Sequence, residues 1–146
     1  MELAGDQGKQ PSNVRRLQPL RVLLAGRDRR FLRVTSFLLS RRGYEVKRST
    51  LADAPGTSDR ERADVVLLDL DGSRVDAGRI VAALQASAGM PALLLLTAGT
   101  DDGWKGLSAL PKWTPIEALA AEIERAALHR PRPAAPRVAE GDQTSL

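Results

Sequence analysis

The sequence predicts an α/β domain with a doubly wound parallel sheet, and three observations carry that expectation. Short apolar runs alternate with helically spaced segments from residue 20 to residue 129. Two of the runs, residues 65–68 and 92–96, are apolar without interruption, as strands covered on both faces are. The segment after Thr114 opens with residues suited to a helix start and continues with an apolar stripe.

Taken in order, Arg21-Val22-Leu23-Leu24-Ala25 reads as the first strand, stopped by Gly26. Residues 29–42 place Phe31, Val34, Phe37, Leu38 and Leu39 near helical spacing, with Gly43 as the residue that ends the helix. Residues 44–47 alternate, as an edge or half-buried strand does. Pro55 and Gly56 interrupt residues 51–63, so a helix there is expected to be short or broken. Residues 65–68 form the third strand, residues 76–87 a helix presenting Ile80, Val81 and Leu84, and residues 92–96 the fourth strand. Residues 107–110 read as a weak fifth strand. Thr114 is expected to cap the last helix, with Pro115 in its first position and Glu117 closing a capping box.

Both ends lack a core-facing pattern. Residues 1–19 are polar, and residues 130–146 are rich in Pro, Arg and Ala. Each is expected to be a disordered tail around one folded domain, residues 20–129.

Composition narrows the chemistry. The absence of cysteine excludes disulfides, thiolate metal sites and cysteine nucleophiles. The single histidine, His129, lies near the tail, which disfavours triad and zinc mechanisms that need an imidazole. The net charge of +4 is weak evidence for an anionic partner. The arginines of the first helix lack interleaved aromatics, and no helix-turn-helix follows, so a nucleic-acid interface is not expected. The N-terminus has no signal-peptide core and no apolar run is long enough for a bilayer, so a cytoplasmic protein without membrane contact is the expectation.

In open parallel sheets, sites form outside the carboxyl ends of the strands. The candidates are therefore Gly26, Arg27 and Asp28 after the first strand, Asp69 and Asp71 after the third, Thr97 and Ala98 after the fourth, and Lys112 after the fifth. An aspartate, a threonine and a lysine at one sheet edge have a chemical use. The carboxylate can attack a phosphoryl group, the ammonium pairs with the phosphoryl oxygens, and the hydroxyl donates to them.

At these residues the chain resembles the response-regulator receiver domain of two-component signalling. The resemblance covers residues 20–129 and rests on RVLLAGRDRRFLRVTSFLLSRRGYEV, ADVVLLDLDGS, MPALLLLTAGT and LPKWTPIEALAAEI, four segments in the right order. It implies a flavodoxin-like five-stranded sheet of order 2-1-3-4-5. It places Asp69 at the phosphoacceptor position, Thr97 and Ala98 at the switch position and Lys112 at the invariant lysine. The departures are informative. The family's two adjacent metal-binding acids are replaced by Gly26 and Arg27, with Asp28 one residue too late, so Mg²⁺ is not expected as a cofactor. Trp113 stands where the family has Pro, and Ala109 where it has an aromatic. The stretch from Thr97 to Lys112 is short and holds three glycines, so the fourth helix is expected to be reduced or missing.

The resulting expectation is a stand-alone receiver-like module without enzymatic activity. It reads as an atypical pseudo-receiver acting through an unidentified protein partner, with Arg27 either a solvated arginine or a substitute cation pairing directly with Asp69, and with Asp28 and Asp71 as solvated loop acids. The alternative is a working phosphoacceptor, Asp69, served by a histidine kinase. A flavin- or nucleotide-binding domain fits poorly, because the turn GRDRR has a single glycine and no phosphate cradle.

Overall fold

The computed structural model describes residues 18–71, 77–97 and 107–130. Within them the chain runs β1 (Arg21–Ala25), α1 (Arg29–Arg41), β2 (Glu45–Ser49), α2 (Ala54–Glu61), β3 (Val65–Asp69), α3 (Ala77–Gln85), β4 (Ala92–Thr97), β5 (Ser108–Pro111) and α4 (Ile116–Leu128). The five strands form one parallel sheet of order β2-β1-β3-β4-β5, the expected flavodoxin-like arrangement.

The period-two geometry of the strands sorts their side chains into two cores. Val22 and Leu24 of β1, Val65 and Leu67 of β3, and Leu94 and Leu96 of β4 face α1 and α4, where they meet Phe31, Leu39, Leu119 and Ile123. Leu23 and Ala25, Val66 and Leu68, and Leu93 and Leu95 face the opposite way, against Ala54 of α2 and Ile80, Val81 and Leu84 of α3. Burial on both faces is why the runs in β3 and β4 are uninterrupted. β2, at the sheet edge, keeps a polar sequence.

Residues 54–61 form the short helix expected there, unbroken because Pro55 lies in the first turn, where a missing N–H costs nothing, and so begins α2. One local expectation is corrected. The capping box at Thr114 is not made. Its hydroxyl instead donates to the Pro111 carbonyl at 2.6 Å, and α4 starts after Pro115 with no side-chain cap. That bond closes the turn carrying Lys112 and Trp113, so Thr114 serves the β5–α4 connection instead of the helix. Gly43 does follow α1 with φ +99, a conformation that favours glycine. The reduced fourth helix would fall within residues 98–106, outside the described residues, as do residues 1–17 and 131–146 of the two tails.

Because Leu95 is fully enclosed between the sheet and α3, Leu95→Ala is expected to lower unfolding free energy by about 2–5 kcal/mol. Chemical denaturation checks this, with exposed Arg33→Ala expected to change stability by no more than about 0.5 kcal/mol.

Candidate functional site

The carboxyl edge of the sheet gathers three aspartates around one lysine. Asp69 is the last residue of β3, paired with Leu96 of β4, and its side chain is only 1% exposed. Its Oδ1 accepts the backbone N–H of Asp71 at 3.1 Å, a local turn that fixes the carboxylate and brings Asp71 around the edge. Its Oδ2 lies 3.2 Å from Lys112 Nζ, an ion pair without the alignment of a hydrogen bond.

Lys112 follows β5. Its backbone N–H donates to the Thr97 carbonyl at 2.8 Å, which extends the β4–β5 ladder and sets the lysine opposite Asp69. The ammonium also donates to Asp28 Oδ2 at 2.9 Å and Asp71 Oδ2 at 3.3 Å. Its Nζ sits 5.2 Å from the centroid of the Phe31 ring, which in turn takes Trp113 edge-on, with centroids 4.8 Å apart and ring planes at 87°. The aromatic pair thus holds the buried lysine from below while three carboxylates surround its head.

Asp28 joins the cluster through a second function. Its Oδ1 accepts the Phe31 N–H at 3.1 Å and caps α1, while Oδ2 reaches Lys112. The expectation that Asp28 and Asp71 are merely solvated loop acids is therefore corrected. Both are part-exposed, yet both bind the lysine. An aspartate directly before a helix is an N-cap signal, and that signal could have marked Asp28 from sequence. Of the two readings of Arg27, the structure favours the exposed arginine: Arg27 lies on the rim, and Lys112 is the cation that pairs with Asp69. Thr97 stands at the same edge as the end of β4, whereas Ala98 lies outside the described residues.

Electrostatics follow from this geometry. Burial pushes the Asp69 carboxyl above its ordinary range, against the opposing pull of the Asp71 N–H and Lys112. The lysine's hydrogen bond and the Phe31 N–H hold Asp28 below it. Burial would lower Lys112, but the three carboxylates outweigh burial and keep the ammonium charged well above the ordinary lysine range.

The receiver resemblance implies a divalent cation beside the acceptor, and the residues present do not fit one. Gly26 offers no ligand, and a Cβ placed there would stand 2.8 Å from Asp69 Cβ, closer than side chains approach. The three carboxylates converge on Lys112 Nζ instead. Among the described residues, no group of three acidic or histidine side chains is arranged to hold a metal.

No family model matches the chain, and no curated protein matches it by sequence. Solved structures do. The chemotaxis response regulator CheY4 of Vibrio cholerae is 22% identical with a TM-score of 0.65, over 75% of this chain and 99% of that one. The receiver domain of the hybrid histidine kinase CckA is 20% identical with a TM-score of 0.62, over 73% and 98%. A response regulator receiver domain protein from Clostridium thermocellum is 20% identical with a TM-score of 0.65, over 75% and 94%. At these identities the likeness is one of architecture, and it is extensive: the chain has the fold of a response-regulator receiver domain.

Proposed function

We propose that this chain is a pseudo-receiver, a module of two-component or phosphorelay signalling that acts by contacting another protein, without a metal cofactor and without enzymatic activity. The observation that carries this reading is Gly26, which offers no ligand where the receiver pattern has a metal-binding acid and stands too close to Asp69 for a side chain, so that Lys112 Nζ, within 2.9–3.3 Å of Asp28, Asp69 and Asp71, is the cation these carboxylates share. No helix among the described residues is long and apolar enough to cross a membrane, which is consistent with a module that works against a protein partner. A histidine kinase is one such partner.

A second reading is a working acceptor. It draws on the buried Asp69 Oδ2, which has an ion-pair partner but no hydrogen bond, and on Thr97 and Lys112 at the same edge. In that reading Asp69 is the nucleophile and Lys112 the phosphoryl counter-charge.

Incubation with Mg²⁺ and acetyl phosphate separates the two. The pseudo-receiver reading expects no acid-labile phosphate by intact-mass analysis and no Mg²⁺-dependent rise in the melting temperature. Stoichiometric phosphate that disappears in Asp69→Asn overturns it in favour of the acceptor.

The raised Asp69 carboxyl also has a pH signature. A carboxylate whose folded pKa exceeds its unfolded value binds more protons in the native state, so its contribution to stability falls as pH rises from 3.8 through the folded value. The penalty grows as pH rises above 3.8 and is complete once pH exceeds the folded value. Asp69→Asn removes it, while Lys112 keeps Asp28 and Asp71. The variant is expected to unfold at higher denaturant than the parent at pH 7, with the difference vanishing in acid below the ordinary aspartate range.

A further inference from the structure

The amino edge of the sheet, at the opposite end from the aspartate–lysine cluster, is not packed shut. The starts of β1 and β3, the end of α2 and the turn between α3 and β4 enclose a cavity of about 860 Å³. That volume lies within the range of small-molecule sites. Three arginines reach it from separate segments: Arg21 opens β1, Arg62 follows α2, and Arg130 lies just beyond α4.

Two of the three are held in place. Arg130 donates to Asp64 Oδ1 and, at 2.9 Å, to the Gly89 carbonyl. The other oxygen of Asp64 accepts the Arg21 backbone N–H at 2.8 Å, so that acid is engaged on both sides. The Arg21 guanidinium pairs with Glu45 at 3.2 Å and reaches the Glu61 carbonyl at 3.5 Å. Helix carboxyl ends are electronegative and repel an anion when bare. Here Arg21 covers the carbonyl of Glu61, the last residue of α2, and Arg130 covers that of Gly89 in the turn after α3. Each guanidinium carries more N–H groups than these bonds consume.

Arg62 differs from both. It is exposed, and among the described residues no hydrogen bond or ion pair holds its guanidinium. Its backbone is left-handed, with φ 55 and ψ 54, and ends α2 by donating its N–H to the Ser58 carbonyl. Glycine and asparagine suit that conformation, whereas an arginine adopts it at a cost. The cap itself needs no side chain at position 62. What the side chain adds is an uncommitted guanidinium at a cavity whose two acids are the engaged Asp64 and the exposed Asp59.

The rest of the wall narrows the ligand. Pro19, Leu20, Ala63 and Ala88 are small or aliphatic, and no aromatic lines the cavity to stack on a base or a flavin. We propose that this cavity binds a small oxyanion on a short aliphatic body, a phosphate monoester or a polycarboxylate, with Arg62 as the recruiting group. The site goes beyond the reading of the aspartate–lysine cluster and stands whether or not Asp69 is modified.

The test uses the full chain without Mg²⁺, titrated with inorganic phosphate, glycerol phosphate and citrate against sodium chloride of matched ionic strength. Backbone amide shifts and the melting temperature report binding. Saturable shifts at Arg21, Arg62, Ala63, Gly89 and Arg130 are expected, with a dissociation constant at or below about 1 mM. Tighter binding of glycerol phosphate or of citrate tells which oxyanion the site takes, and either supports it. Arg62→Gly and Arg62→Asn keep the left-handed cap, so both are expected to melt no lower than the parent while binding about tenfold more weakly. Arg33→Ala, on α1 and outside the cavity, is expected to bind as the parent does. Undiminished binding by both Arg62 variants, effects that chloride reproduces, shifts confined to the Asp69–Lys112 edge, or no saturation by about 10 mM overturns the proposal.

Discussion

A carboxylate buried at the end of a central strand has to be neutralised, and the local structure around Asp69 is organised by that need. The side chains flanking it in the sheet, Leu68 of β3, Ala25 of β1 and Leu96 of β4, are apolar and cannot solvate it. The positive charge arrives from the far edge of the sheet, carried by Lys112 at the end of β5. Getting it there requires the β4–β5 ladder to continue through the Thr97 carbonyl, and the β5–α4 turn to be closed by Thr114. It also requires Phe31 to support the lysine. Asp28 then ties the same ammonium to the start of α1, so three separate segments, the ends of β3 and β5 and the start of α1, meet through one nitrogen.

This wiring gives the cluster an internal balance unlike a metal pocket's. Two of the three acids are part-exposed and lose little by being charged, whereas Asp69 bears nearly the whole cost of burial. The lysine's affinity is divided among them, and its bond to Asp28 is the shortest. The acid at the acceptor position is thus the least comfortably held of the three. That asymmetry is why the Asp69 carboxyl is pushed upward while that of Asp28 is held down.

The sheet was plain in the sequence because burial on both faces writes itself as unbroken aliphatic runs, visible without any long-range information. The positions of Asp69, Thr97 and Lys112 followed from the strand ends. The partner of Asp69 was not legible in the same way. Arg27 is nearer in sequence to the first strand's end, and adjacency favoured it, but side-chain direction and reach decide such pairings, and those depend on how β5 is placed. Asp28 was misjudged for a related reason: an offset of one residue along a strand reverses its face, yet at a helix cap the chain has already turned and the carboxylate can swing back to the edge. Thr114 shows the limits of local signals. It sits where its chemistry permits two uses, and its bond to the Pro111 carbonyl selects one.

The close approach of β1 to β3 at Gly26 constrains what position 26 can hold. With a bare Cα against the Asp69 side chain, the two strand ends sit at a separation that leaves no room for a Cβ. An acid placed there would collide with Asp69 before it could coordinate anything. Any larger residue at that position has to be accommodated by spreading the two strand ends, and the spacing of Asp69 from Lys112 would change with it.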